Sequence, residues 1–403
     1  MKWDRRAFIQ KSLAGLGMMS CSPQGWARNF FGNRSGSSKP WIELSEAAYL
    51  HNAAQVSKMA KGKPVVAVLK NNGYGLGAVE VAKILNKSPH IFGMAVVKDE
   101  AALAMRVAGV TKPILLMGDF DSSLSPELIE KKITLSVYSY ASLDKINQLA
   151  KSADTSIRVA LYIDTGLGRM GIPYGEATKI AEGVDKNNNL TITQTFSTLT
   201  SPRDFALEQI SRFQEITTSL GKKGINVGLK HLAPSYSLLD LPVSHEDAVR
   251  PGILLHGSFP STDRPEAQEF PLQIPYRLRA SVIRLERLRR GDTIGFSRFY
   301  KVEKDEWIAT LPVGWADGYN SGAENGAKVL LGNELYPVVN VNASHTNVSL
   351  GAKTSVKVGE TATLIGPENS AITPEGFGKL VNGHNYLQIN YKESIPKHVY
   401  PSF

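Results

Sequence analysis

Cysteine is almost missing from this chain of 403 residues, which contains only Cys21. A single cysteine cannot form a disulfide within the chain. The formal net charge is +9, yet no basic run carries interleaved aromatic residues. We therefore expect no nucleic-acid binding. The weakly apolar stretch from Ser12 to Met19 is too short to span a bilayer, so we expect no transmembrane span.

The N-terminus has the pattern of a targeting segment. Residues 4–11 resemble a twin-arginine motif, which predicts an export signal over residues 1–27 and a periplasmic location. In Gly25-Trp26-Ala27, the two outer residues are small and stand at the −3 and −1 positions that a signal peptidase recognises. Two alternatives stay open: a loose lipobox ending at Cys21, which predicts a lipid anchor, and a disordered basic N-terminus. Residues 28–40, rich in Gly, Ser and Asn, read as a tether.

Composition and periodicity predict an α/β protein with two domains. The chain is 42% hydrophobic and 21% charged, as in ordinary globular proteins. Short apolar runs alternate with amphipathic stretches such as Ala78–Leu85 and Ala101–Met105, which predicts parallel strands with crossover helices. We expect a (β/α)8 TIM-type barrel over residues 41–275 and a mostly β domain over 276–403. The predicted barrel strands are 65–69, 92–97, 114–117, 134–138, 157–163, 191–196 and 228–232, and the later β runs are 277–288, 306–313, 328–331 and 386–391.

The most informative motif begins at Lys70. An apolar run, Val65–Leu69, ends in this lysine, and a glycine-rich turn follows. In a barrel, side chains that follow the C-terminal end of a strand lie at the active-site face. A partly desolvated amine there has a lowered pKa and can form an imine with an aldehyde. A solvated lysine at a strand end is the ordinary alternative.

Several motifs in the same order resemble the alanine racemase family, the fold-type III enzymes that use pyridoxal 5'-phosphate. The resemblance runs from about Trp41 to Tyr400, and each motif alone is weak. Their shared order predicts membership of the family, and with it an amino-acid substrate and amino-acid racemase activity. The matching segments are 41–44 with Asn52, 70–77, 92–95 with 99–101, 164–171, 250–253 and 312–319.

The resemblance assigns the cofactor side of a site. It implies that Lys70 carries the cofactor as a Schiff base and moves the substrate α-proton on one face. Arg250 is implied to donate to the pyridine nitrogen, and because guanidinium does not give up its proton, the ring nitrogen stays unprotonated. Arg169 is implied to lie near the phenolic oxygen and the substrate carboxylate. The implied phosphate-binding residues are Tyr74, Ser235, Gly252, Ile253 and Tyr386. We expect no metal site.

The substrate side departs from the family. Trp315 stands where the family has its catalytic tyrosine, and indole cannot act as a base. Tyr162 stands where the family usually has a lysine, and Thr198 replaces a histidine that stacks on the cofactor. Ser344 and His345 occupy the usual Met-Asp of the substrate loop.

These departures leave three hypotheses. Racemisation needs a proton removed from one face and returned on the other, so it needs two acid–base groups. The chain is a racemase whose second group is supplied otherwise, for example by the imidazole of His345. Alternatively, it is a one-base enzyme using Lys70 alone, or a non-catalytic binding protein that keeps the barrel. The family also implies a head-to-tail homodimer in which Trp315 and His345 reach the partner's site.

Overall fold

The barrel begins with seven consecutive parallel strands. In the computed structural model, residues 38–152, 156–261, 266–381, 383 and 387–403 are described. Each barrel strand pairs with the next along the chain. The strands are nearly free of charged residues and buried on both faces, as parallel strands between a barrel interior and outer helices must be. They are Val65–Val68, Ile91–Val96, Ile114–Leu116, Thr134–Val137, Ile157–Asp164, Leu190–Phe196 and Leu229–His231.

An irregular segment, residues 248–251, closes the barrel as its eighth member. On one side Arg250 N–H donates to Ala233 O at 2.8 Å. On the other side the N–H groups of the first strand, at Val66 and Val68, donate to this segment at 2.9 Å. The predicted (β/α)8 barrel is confirmed, and the closure brings Arg250 beside the end of the strand that precedes Lys70.

Helices cover the barrel where the apolar spacing predicts them. Ala78–Asn86 and Asp99–Val107 bury the positions expected, including Val81, Leu85 and Met105. The helices of the described chain are Glu46–Met59, Ala78–Asn86, Asp99–Val107, Ser125–Glu130, Tyr140–Ser152, Ala177–Asp185, Arg203–Lys222, Ser235–Asp240, Glu266–Glu269 and Pro374–Leu380. The short turn Lys70–Tyr74 has non-helical backbone angles at its centre.

The second domain is mostly β, as predicted, and is built around a nine-stranded sheet. Neighbouring strands are antiparallel, except for the pair formed by Trp41–Ser45 and Lys397–Tyr400. Short strands elsewhere are Ile172–Pro173, Thr293–Ile294 and Tyr300–Lys301. The order across the sheet is Arg284–Leu288, Glu306–Leu311, Thr346–Gly351, Glu334–Val341, Lys328–Leu331, Thr361–Ile365, Tyr276–Ser281, Trp41–Ser45 and Lys397–Tyr400.

Three sequence predictions need correction. The strand Trp41–Ser45, assigned to the barrel, pairs instead with Tyr276–Ser281 in the second sheet. The run 277–288 divides into two strands, because residues 282 and 283 leave the first pairing before the second begins. The described part of the predicted run 386–391 is not a strand: Leu387–Asn390 forms a 3-10 helix whose backbone packs closely against Gly75 and Gly318.

The predictions for the N-terminus lie outside the described residues. The export signal over 1–27, Cys21 and residues 28–37 of the tether belong to the part that the structure does not describe, and so does Tyr386. Within the described ranges, no helix has both the length and the apolar character needed to cross a membrane.

Candidate active site

A left-handed turn holds Lys70 at the mouth of the barrel. Lys70 follows the first strand, and Asn71, Asn72, Gly73 and Tyr74 then all have positive φ, between 50° and 62°. Asparagine and glycine tolerate this conformation better than other residues, which explains their place in the motif. The Asn72 side chain also accepts the N–H of Ala78 at 3.0 Å, so it caps the next helix. The turn therefore directs the chain from strand to helix within a few residues of the lysine.

One cavity of about 620 Å³ collects most of the predicted site residues. Such a volume accommodates a cofactor-sized ligand. The cavity does not include Trp315 or His345 of the same chain. Thr198, Tyr162 and Tyr236 also contribute to its wall. The predicted residues that line it are Lys70, Tyr74, Arg169, Ser235, Arg250, Gly252 and Ile253.

The electrostatics of the cavity lower the pKa of Lys70. Burial of the amine is the larger cause, and the nearby positive charges of Arg169 and Arg250 add to it. Each effect disfavours the ammonium form. The amine is therefore more readily available as a nucleophile or base than that of a solvated lysine.

Two helix N-termini and two hydroxyl groups form a cradle for an anion. The Gly252 N–H donates to Ser235 Oγ at 3.0 Å, and the Tyr74 hydroxyl lies so close to the Gly252 Cα that a side chain there would collide with it. Ser235 opens the helix Ser235–Asp240, and Ile253 opens a 3-10 helix, Ile253–His256. The first N–H groups of a helix have no intrahelical acceptor and favour a bound anion. These residues fit the phosphate of pyridoxal phosphate.

Arg250 is held by four hydrogen bonds. Its Nη1 donates to His231 Nδ1 at 2.7 Å and to His231 O, and its Nη2 donates to Ser197 O at 2.6 Å and to Thr198 Oγ1 at 2.9 Å. Burial lowers the pKa of Arg250 to about 10, against an opposing contribution from Tyr162, so the guanidinium is charged at neutral pH. This fixed cation suits the pyridine nitrogen that the sequence assigns to it.

His231 accepts two hydrogen bonds from Arg250 and so holds the guanidinium in place. Sequence reasoning assigned His231 no role. Because Nδ1 accepts from Arg250, Nε2 must carry the proton, and it lies 2.9 Å from Gln194 Oε1. Burial, and then the charge of Arg250, hold the pKa of His231 well below its usual range. The ring stacks on Phe196 at 5.3 Å, and Phe196 stacks on Tyr162 at 4.4 Å. His231 opens the segment that contains Ser235, and that proximity was its only sequence signal.

The loop that carries Arg169 is organised by Asp164. The N–H groups of Gly166, Leu167 and Gly168 donate to Asp164 Oδ1 at 2.8–3.2 Å. This nest of donors folds the loop over the end of its strand. Arg169 is exposed at the cavity wall, where its fork of donors suits a carboxylate.

Trp315 and His345 form a separate surface on the β domain. The N–H of Trp315 donates to Asn342 O at 3.0 Å, which places its turn on the loop containing Ser344 and His345. Trp315 is 56% exposed, and Ser344 Oγ lies 2.9 Å from His345 Nδ1. Neither residue lines the cavity of its own chain, and the prediction that His345 acts at a partner's site stays a prediction.

The described residues contain no group of three or more His, Cys, Asp or Glu side chains that could hold a metal ion. The barrel, the β domain and the lysine beside an anion cradle define a class of protein, the barrel enzymes that use pyridoxal phosphate. The alanine racemase N-terminal domain model matches residues 44–260, and the alanine racemase C-terminal domain model matches residues 276–398.

Individual relatives agree with these matches. The alanine racemase of Clostridium tetani is 30% identical over 355 residues, covering 86% of this chain and 91% of that protein. The alanine racemase of Desulfovibrio desulfuricans is 31% identical over 305 residues, covering 74% of this chain and 81% of that protein. The solved alanine racemase of Clostridium difficile 630 has a TM-score of 0.82 at 27% identity, covering 90% of this chain and 96% of that one. This chain belongs to the alanine racemase family, whose members depend on pyridoxal phosphate.

Proposed function

We propose that this protein interconverts the L and D enantiomers of alanine, or of a closely related amino acid. The relatives named above are alanine racemases. The observation that carries the proposal is the convergence of Lys70, Arg250 and the cradle at Gly252 on one cavity. A lysine of lowered pKa beside an anion cradle is suited to holding a phosphorylated aldehyde.

Each of the predicted cavity residues has a distinct role in the proposed reaction. Pyridoxal phosphate, when bound, supplies a ring that withdraws electrons from the substrate α-carbon. Lys70 is the Schiff-base lysine and moves the α-proton on one face. Tyr74, Ser235 and the N–H groups of Gly252 and Ile253 hold the phosphate, and Arg169 orients the carboxylate. Arg250 cannot give its proton to the ring nitrogen, and therefore limits electron withdrawal by the ring.

Two alternative functions, a one-base enzyme and a non-catalytic binding protein, follow from Trp315. With tryptophan at the position of the family's catalytic tyrosine, Lys70 could act alone as a one-base enzyme, or the protein could bind without catalysis. Exchange in deuterated water separates the three. A racemase converts each alanine enantiomer into the other, with deuterium at the α-carbon of the product. A one-base enzyme labels one enantiomer without interconversion, and a binding protein does neither. Lys70→Arg should abolish both labelling and interconversion.

We propose two properties of the whole protein alongside this activity. The family resemblance supports a head-to-tail homodimer, as do Phe296 and Phe299, which are 99% and 89% exposed on the β domain. Such exposure of large apolar side chains is typical of an interface. The twin-arginine motif supports export of the folded protein to the periplasm, in soluble form or anchored by lipid at Cys21.

A further inference from the structure

Tyr74 contributes its hydroxyl to the cradle from an unusual backbone conformation. Its φ is 56°, in the left-handed region that large side chains rarely adopt. A residue keeps such a conformation only where its surroundings hold it. The ring lines the cavity, with Lys70 Nζ 5.8 Å from its centroid, and the hydroxyl lies where a side chain on Gly252 would be. The position of this hydroxyl therefore depends on the residues packed behind the ring.

A buried histidine packs on the Tyr74 ring. The His256 side chain is fully buried, and its ring centroid is 4.8 Å from that of Tyr74, with the two planes at 45°. His256 also ends the short 3-10 helix Ile253–His256, whose first N–H groups belong to the cradle. The imidazole therefore connects the two parts of the cradle, the helix that presents N–H groups and the ring that presents the hydroxyl.

Tyr49 fixes the orientation of this imidazole. The Tyr49 hydroxyl lies 3.1 Å from His256 Nδ1, and the two rings meet edge to face at 87°. Among the described residues this is the only hydrogen bond of the imidazole, since Nε2 is buried without a partner. Asn52, on the same face of the helix as Tyr49, donates to Leu255 O at 3.3 Å. The helix Glu46–Met59 thus holds the end of the 3-10 helix at two adjacent residues.

Both members of this pair are uncharged near neutral pH. Burial lowers the pKa of His256 to about 3, and burial raises the pKa of Tyr49 well above its usual range. A neutral imidazole adds no positive charge to the cradle. Its contribution is therefore to the position of the Tyr74 ring and not to the electrostatic attraction of an anion.

We propose that Tyr49 and His256 are positioning residues for the cofactor phosphate, which act by holding the Tyr74 ring so that its hydroxyl reaches the phosphate. This proposal rests on the proposed function, because it takes the phosphate of pyridoxal phosphate as the anion of the cradle. Neither residue of the pair lines the cavity, so both act through Tyr74. The phosphate site thus extends outward from the cavity wall to the covering helix Glu46–Met59.

Cofactor affinity of the full chain, measured by absorbance titration, tests this proposal, with pyridoxal as the matched ligand that lacks the phosphate. Tyr49→Phe removes the only hydrogen bond of the imidazole, His256→Leu removes the imidazole at similar volume, and Tyr74→Phe removes the hydroxyl. Each of the first two changes is also combined with Tyr74→Phe. Tyr336→Phe, which loses a hydrogen bond to Glu334 outside the cavity, is the control.

We expect Tyr74→Phe to weaken binding of pyridoxal phosphate by about 10- to 100-fold, the usual value of a hydrogen bond to a charged group. His256→Leu and Tyr49→Phe should each weaken it by about fivefold or more, but by no more than Tyr74→Phe does. In the Tyr74→Phe background they should change it by less than about twofold, because the hydroxyl that they position is gone. Affinity for pyridoxal should stay within about twofold in every variant, and the control should keep both affinities.

Unchanged affinity for pyridoxal phosphate in Tyr49→Phe and His256→Leu would overturn the assignment. An equal loss of affinity for pyridoxal, or full additivity with Tyr74→Phe, would overturn it too, since either result marks a general packing role. Circular dichroism checks folding, and Tyr49→Phe decides the matter if His256→Leu does not fold. If the unmodified protein binds neither ligand, the proposed function fails as well. If it binds both ligands equally, the phosphate cradle and this assignment fail, while Lys70 keeps its role.

Discussion

Three cationic side chains share one cavity: Lys70, Arg169 and Arg250. Their mutual repulsion favours loss of a proton from one of them, and the Lys70 ammonium loses its proton more easily than a guanidinium does. Lys70 is thus kept reactive by residues distant in sequence, while Arg250 keeps its proton. The same positive field attracts the phosphate and carboxylate that the site is proposed to hold.

At the residue scale, we predict that Arg169→Gln shifts the formation of the Lys70 imine to higher pH. The charge of Arg169 lowers the pKa of Lys70, so its removal raises that pKa and requires a higher pH for the neutral amine. Absorbance titration with pyridoxal phosphate gives the midpoint. Arg284→Gln, an exposed arginine outside the cavity, should leave the midpoint unchanged. An unshifted or lowered midpoint in Arg169→Gln would be evidence against this electrostatic account.

Sequence reasoning could predict those site residues whose neighbours in the chain form a recognisable motif. Lys70 precedes its own turn, and Arg250 lies within a short motif with Gly252. His231 and Gln194 could not be found in this way, because their role depends on hydrogen bonds between neighbouring strands.

At the scale of elements, the left-handed turn after Lys70 determines where the amine lies. We predict that Asn72→Ala destabilises the protein by about 1–3 kcal/mol, since alanine disfavours positive φ and cannot cap Ala78. Asn72→Gly keeps the backbone conformation and loses only the cap, so it should cost less. Urea unfolding of both variants measures the difference. Equal stability of the alanine and glycine variants would contradict the role of the positive φ.

Strands were easier to predict than their partners. The apolar runs located the barrel strands within one or two residues, because burial on both faces leaves a local signature. Trp41–Ser45 was assigned to the wrong sheet because its partners are more than 200 residues away along the chain. The run 386–391 looked like a strand because its Leu, Ile and Tyr side chains alternate with polar residues, but its backbone forms a 3-10 helix instead.

At the scale of the whole molecule, we predict a dimer that depends on the exposed aromatic side chains of the β domain. Sedimentation velocity should show a dimer for the unmodified chain and a monomer for Phe299→Glu, because a charge there is not tolerated in an apolar interface. Val358→Glu, at another exposed apolar position of the same domain, should remain dimeric. A monomeric unmodified protein would reject the proposal.

The location of the protein can be tested with the full chain. We predict that the protein is recovered from the periplasm. Replacing Arg5 and Arg6 with lysine should retain it in the cytoplasm, because the arginine pair is the part of the signal that the export machinery recognises. Cys21→Ala separates the two mature forms. A soluble form is unaffected by that change, whereas a lipid-anchored form is released from the membrane. Unchanged export without the arginine pair would reject this route.

The attachment of the cofactor to Lys70 is tested most directly by borohydride reduction. The purified protein is incubated with pyridoxal phosphate, reduced and digested, and the modified peptide is identified by mass spectrometry. We predict a single stoichiometric adduct on Lys70, absent from Lys70→Arg, because burial and two arginines keep this amine neutral at lower pH than a solvated lysine. An adduct spread over surface lysines, or equal labelling of Lys70→Arg, would contradict the account.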